Sequence, residues 1–228
     1  ANYRAGWEAG GTKFVRTHQL VVRNNFVHDN RGPGLWTDID NINSLYEDNR
    51  VINNDGPGIF HEISYDAIIR NNLVEFNGNY DEWLWGAQIL ISTSLNVEVY
   101  NNTVQAAANV GNTITIVQQS RGVGAYGQRM SSNNYVHNNT IIHTGFSGLS
   151  GAAADWQQST FWSQGNHSDY NTYYVPGLGA DFWEWGGGRR NWEEFRAAGQ
   201  EQNGQIQVGL PRKFDIEILN LLLLNADT

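Results

Sequence analysis

Leu20–Asp40 reads L-V-V-R-N-N-F-V-H-D-N-R-G-P-G-L-W-T-D-I-D, and Ser44–Ser64 reads S-L-Y-E-D-N-R-V-I-N-N-D-G-P-G-I-F-H-E-I-S. Laid over one another at an offset of 24 residues, Asn25 falls on Asn49, Val27 on Val51, Asn30 on Asn54, and Gly32-Pro33-Gly34 on Gly56-Pro57-Gly58. A fixed period of this size marks stacked supersecondary units, each too small to bury its own apolar face. Helical repeats of this length need amphipathic runs of about ten residues. These units offer only short β-branched runs, such as Leu20–Val22 and Ile68-Ile69, broken by Asn, Asp and Gly. Such runs favour strands, and the reading is a β-solenoid.

Asparagine recurs at the same turn of successive units, at Asn25, Asn49, Asn72, Asn102 and Asn139, as expected where stacked side-chain amides bond along a ladder. With its valine-rich strands, its N-N-x-V turn and its Gly-initiated strand, the chain over roughly residues 10–175 resembles the right-handed parallel β-helix proteins of the pectate-lyase-like superfamily. The resemblance implies an all-β fold, a single right-handed parallel β-helix, and action on polysaccharides along the outer face of one sheet. It lends no catalytic residues. The N-T-D, D-D, G-H-G and R-I-K segments of polygalacturonase-like relatives and the R-x-P-x-x-R segment of pectate lyases are absent.

The balance of 14 Lys+Arg against 23 Asp+Glu, 14 − 23 = −9, argues against nucleic acid as a partner. It also disfavours a polyanionic polysaccharide unless a cation bridges it. Nine Trp, 10 Tyr and 9 Phe supply flat rings suited to sugars or to padding the solenoid, and the lack of cysteine excludes disulfides and thiolate metal sites. The longest apolar run, Leu221–Leu224, is too short to span a bilayer, so no membrane partner is expected. With the chain opening on repeat-like sequence, a mature, secreted product is expected, extracellular or periplasmic and of bacterial type.

Coils begin at Gly10, Gly34 and Gly58, and a fourth near Gly86 after an insertion, Asn79–Trp85. A second insertion, Ser120–Ser132, follows the fifth-coil strand Asn112–Gln118. Insertions in solenoids gather on one side, often the binding side, so these two loops are expected to wall a groove. A sixth coil runs from Tyr135 to Ala154, and His167–Val175 alternates like a strand. The helix of residues 1–175 then gives way to a capping segment, 176–228, packed on the same domain. Within it Asn191–Ala198 reads as a short helix capped by Asn191 and ended by Gly199. Trp192, Phe195, Arg196 and Gly199 resemble the element that closes many β-helix proteins. The tail Phe214–Thr228 is expected to cap or to contact a subunit.

Strand side chains alternate, so parity separates inside from outside. Ile39, Ile63, Ile91 and Ile116 are expected to stack inward, with Ile89 and Ile114. Lys13, Thr37 and His61 share the inward parity. The outward set is Phe14 and Arg16, Trp36, Asp38 and Asp40, Phe60, Glu62 and Ser64, Gln88, Leu90 and Ser92, Thr113 and Thr115. Adjacent coils lie about 4.8 Å apart, which sets Asp38 beside Glu62. Paired carboxylates at about 5–5.5 Å suit retaining glycoside hydrolysis and at about 6.5–9.5 Å inversion.

The expected activity is therefore hydrolysis of a polysaccharide, with Glu62 as general acid, Asp38 as nucleophile or base, and Asp40 in support. Trp36, Phe60, Arg16, His61, Gln88, Trp83 and Trp85 are the candidate substrate contacts, with Glu82 beside the last two. Hydrolysis requires no cofactor. One alternative is a Ca2+-dependent lyase or epimerase, in which Asp38, Asp40 and Glu62 hold the ion and Arg16, Lys13 or His61 removes the C5 proton. Another is a non-catalytic carbohydrate-binding or adhesin-like solenoid.

Overall fold

The computed structural model describes residues 4, 7, 10–79 and 83–211, so the tail Phe214–Thr228 and Glu82 lie outside the described residues. The chain winds through three parallel sheets that recur once per coil. The first holds Phe14–Val15, Leu35–Asp38, Ile59–Glu62, Ala87–Ser92, Asn112–Gln118, Ser150–Ala154 and Trp183–Glu184, with Arg189–Arg190 added antiparallel at its end. Val21–Arg23, Ser44–Glu47, Tyr65–Arg70, Leu95–Tyr100, Tyr135–His137 and His167–Asp169 build the second. In the third are Phe26–His28, Arg50–Ile52, Leu73–Glu75, Thr103–Ala106, Thr140–His143, Thr172–Val175 and Gln205–Val208. Among the described residues no helix is long and apolar enough to cross a membrane.

Each Asn-Asn corner divides its labour. Asn24, Asn71, Asn101 and Asn138 take left-handed backbone with φ near 55°, a region asparagine tolerates better than most residues. The second asparagine turns inward and stacks. Asn25 Nδ2 donates to Asn49 Oδ1 (2.9 Å), Asn49 to Asn72 (3.0 Å), Asn72 to Asn102 (2.9 Å), Asn102 to Asn139 (3.0 Å) and Asn139 to Asn171 (2.9 Å). The carboxylate of Glu201 receives the last of these, from Asn171 Nδ2 at 2.7 Å. A second ladder runs from Asn30 through Asn54 and Asn77 to Gln88 at the corner before the first sheet.

Coils approach so closely at that corner that a Cβ on Gly34 would lie 2.7 Å from the carbonyl of Gly58 and 2.6 Å from Val51 Cγ1, which accounts for the glycine that opens the strand in the first three coils. Gly11, meeting the carbonyl of Gly34, is the equivalent residue in the first coil. The first coil thus starts one residue later than Gly10, and Phe14 pairs with Thr37, 23 residues on. After the first insertion the step is 30 residues, Ile59 to Ile89, against the 28 read from Gly58 to Gly86. The inward column is therefore Thr37, His61, Ile91 and Ile116. Ile39 and Ile63 are not part of it, because both fall past the strand at the left-handed first corner.

The coils continue beyond Pro176. Trp183–Glu184 pairs with Ser150–Gly151, and Gln205–Val208 with Thr172–Val175. The helix Trp192–Ala197 is capped at Asn191 by a capping box with Glu194, and Gly199 beyond it is left-handed at φ 86°. Its buried Phe195 stacks on Trp183 at 5.7 Å.

Candidate functional site

Along the outer face of the first sheet, two columns stand side by side. Register gives one as Trp36, Phe60, Leu90 and Thr115, and the other as Asp38, Glu62, Ser92 and Val117. Asp38 and Glu62 are partners on adjacent strands, so their backbones stand about 4.8 Å apart. Trp36 stacks on Phe60 at 5.4 Å, and its indole Nε1 donates to Glu62 Oε2 at 3.2 Å.

This face is not open. Asp38, Asp40 and Glu62 are each 7 % exposed, and each meets a different basic side chain. Lys13 Nζ is 2.9 Å from Asp38 and 3.7 Å from the centre of the Trp36 ring, Arg121 is 3.0 Å from Glu62, and Arg129 is 2.8 Å from Asp40. Burial raises the proton affinity of Glu62, and the neighbouring Asp38 raises it further; Arg121 and the indole oppose both.

Both arginines come from the second insertion. Expected as a groove wall, it instead roofs the acids, folding into a small antiparallel hairpin, Val123–Gly124 with Gly127–Gln128. Gly124 packs so tightly that a Cβ there would lie 2.2 Å from Asp40 Oδ1 and 2.3 Å from Tyr65 Oη. The first insertion also lies down on the face. Leu84 and Trp85 join Trp36, Phe60, Leu90 and Val117 in an outer apolar cluster, and Thr115 Oγ1 donates to the carbonyl of Leu84 at 2.8 Å. Trp83 is left 43 % exposed.

Several expectations are corrected by this geometry. Gln88 does not face the groove; it replaces the strand-opening glycine, is fully buried and ends the Asn30 ladder. His61 lies inside the solenoid, bonded through Nδ1 to Thr37 Oγ1 at 2.7 Å, and burial lowers its pKa to about 4. Neither residue reaches a ligand on the outer face. The one-residue slip of the first coil turns Phe14 inward to the core and brings Lys13 out to the acids. Arg16 stands exposed at the first corner, φ 55°, and the cations at the acids are Lys13, Arg121 and Arg129. Trp36 and Phe60 are floor, with no ring face open to a sugar. Asp40 lies two residues past Asp38 at the left-handed first corner and anchors the hairpin, away from the Asp38–Glu62 register.

Nor do the three carboxylates fit a calcium site, because each is turned toward its own ammonium or guanidinium; among the described residues no group of His, Cys, Asp or Glu is arranged to hold a metal. Arg121 is the partner that sequence reading missed; the strands on either side of its insertion, Asn112–Gln118 and Tyr135–His137, carry no acid that would have signalled the pairing.

Residues 2–104 match the family described as the right handed beta helix region. No curated protein and no solved structure gives a significant match.

Proposed function

We propose that this right-handed parallel β-helix protein is a carbohydrate-active enzyme that hydrolyses a neutral polysaccharide on the outer face of its first sheet, in an extracellular or periplasmic setting. The observation that carries this reading is the in-register pairing of Asp38 with Glu62. Burial and the adjacent carboxylate favour the protonated form of Glu62, the property of a general acid. Protonated Glu62 gives its proton to the glycosidic oxygen as the bond from the anomeric carbon breaks. Asp38 attacks that carbon, the one-rung spacing being nearest to that of retaining enzymes. Water, deprotonated by Glu62, then releases the sugar and frees Asp38. Arg121 must leave Glu62 for the proton to be available.

Reducing-end release from neutral and uronic polysaccharides, with and without chelator, tests this. Expected are reducing ends without unsaturated-uronide absorbance and without chelator sensitivity, and a loss of about 10²–10⁴ in turnover for Glu62→Gln. Undiminished turnover in Glu62→Gln refutes the assignment. The pairing of every acid with a cation favours a second reading, a non-catalytic carbohydrate-binding solenoid; retention in a polysaccharide gel with no release, unaffected by Glu62→Gln, would establish it. A lyase or epimerase retains only Lys13 as a base, since His61 is interior and the carboxylates do not fit calcium.

A further inference from the structure

The roof over the acid row is fastened almost entirely by polar contacts. Segment 119–131 is clamped at its base, where Ser131 donates to Gln118 Oε1 and to the Val117 carbonyl, both at 3.0 Å. Beyond that base it rests on Arg121 with Glu62, Arg129 with Asp40, Tyr65 Oη donating to the Gly127 carbonyl at 2.9 Å, and Tyr126 edge-on to Tyr65 and bonded to His18. Val123 is 71 % exposed, and Tyr126, although it touches Tyr65, is still 42 % exposed. A segment that buries little apolar surface is held by pairs that water can replace, so it opens at lower cost than the sheet beneath. In the row that Arg121 latches, Asp38 Oδ1 and Ser92 Oγ flank Glu62 in register, buried and without a hydrogen-bond partner in the protein. Orphaned polar atoms in a buried row point to a ligand that supplies their bonds.

We propose that residues 119–131 form a reversible lid, latched by Arg129 on Asp40 and Arg121 on Glu62, which must lift before a hydroxyl-rich ligand reaches Asp38, Glu62 and Ser92. For the identity of what enters, the proposal rests on the hydrolase reading above. The lid itself is tested without activity, by labelling carboxylates with a water-soluble carbodiimide and a small amine and locating the label by peptide mass spectrometry. Arg129→Gln should raise labelling of Asp38 and Glu62 about tenfold or more, as loss of a partly buried charge-assisted pair implies. Arg129→Lys should fall between. Salt should raise labelling in the native chain, and less so in Arg129→Gln, where of the two latches only the Arg121–Glu62 pair is left to screen. Buried Glu201, in the far coil, reports global loosening and should stay protected. Tyr126→Ala, which removes a different fastening, is the second variant should Arg129→Gln fold poorly.

Unchanged labelling of Glu62 in both variants, or labelling that rises in step with Glu201, overturns the lid. Increased labelling with increased sugar release supports lid and hydrolase together. Increased labelling with no release by any variant supports the lid and removes the hydrolase reading. Release by the native chain that neither variant alters, despite increased labelling, overturns the lid as a gate.

Discussion

Asn102→Ala removes one rung from the middle of the long amide ladder. The Asn102 side chain donates to the carbonyls of Ile69 (2.9 Å) and Tyr100 (3.0 Å) and to Asn139 Oδ1 (3.0 Å), and it accepts from Asn72 N and Nδ2, both at 2.9 Å. Alanine leaves the buried Asn72 N–H and the Ile69 carbonyl with nothing from this side chain. At roughly 1 kcal/mol net per bond, with the added penalty of stranded buried groups, the cost is about 4 kcal/mol. Asn25 makes the same kind of rung at the exposed end, where its Nδ2 donates to Arg23 O and Asn49 Oδ1. Asn25→Ala should therefore cost only about 1 kcal/mol. Guanidinium unfolding followed by circular dichroism measures both, with an unchanged slope confirming that the native state is the one affected. A difference between the two variants smaller than about 1 kcal/mol would refute the claim that the ladder, and not the apolar column alone, holds coil to coil.

Burial lowers the pKa of His61 to about 4 and of His143 to about 3. As pH falls below about 6.5 the unfolded chain takes up protons the folded chain refuses, so stability drops from there toward pH 4; His61→Gln should remove about 3 kcal/mol of that loss, and an unchanged pH slope would count against it. Glu62 has the opposite sign: its raised pKa contributes stability that is complete below about pH 4.5 and is lost as pH rises through the folded value. Glu62→Gln should accordingly gain on the native chain in thermal melts as pH is raised while losing turnover. Gly124→Ala, whose methyl would collide with Asp40, Tyr65 and Arg129, should unseat the hairpin at a cost of about 1–3 kcal/mol, read as faster amide exchange in residues 121–129; unchanged exchange there contradicts the packing described. Trp83→Ala should weaken retention on a polysaccharide gel without moving the melting temperature, because the ring is exposed.

Periodicity carried the architecture because asparagine at the corner answers to a local backbone demand and to a neighbour one period away, so both appear as identity at a fixed offset. The stacking of Asn25, Asn49, Asn72, Asn102 and Asn139 was legible for that reason, as were the strand Asn112–Gln118 and the Asn191 cap. Register was less so. Gly10 and Gly11 are indistinguishable as letters, and only the carbonyl of Gly34 against position 11 decides between them; that single residue moves Lys13 from interior to surface. Gln88 reads as a groove residue because strand parity turns it outward, but at the corner it completes a ladder of amides, and the ladder won. The paths of the two insertions depend on tertiary contacts such as Arg129 with Asp40, 89 residues apart, and no local pattern records them.

The amide column has a direction. Each coil hands its hydrogens forward and so leaves the last asparagine, Asn171, in need of an acceptor that asks for nothing in return. Glu201 meets that need, taking hydrogen bonds from Asn171, Ser168 and Tyr173 on one carboxylate. A carboxylate there presents acceptor oxygens alone, so the column closes on it with no donor left over. Removing that carboxylate would strand the donors of Asn171, Ser168 and Tyr173 together, at the place where three polar side chains converge on a single oxygen, Glu201 Oε1.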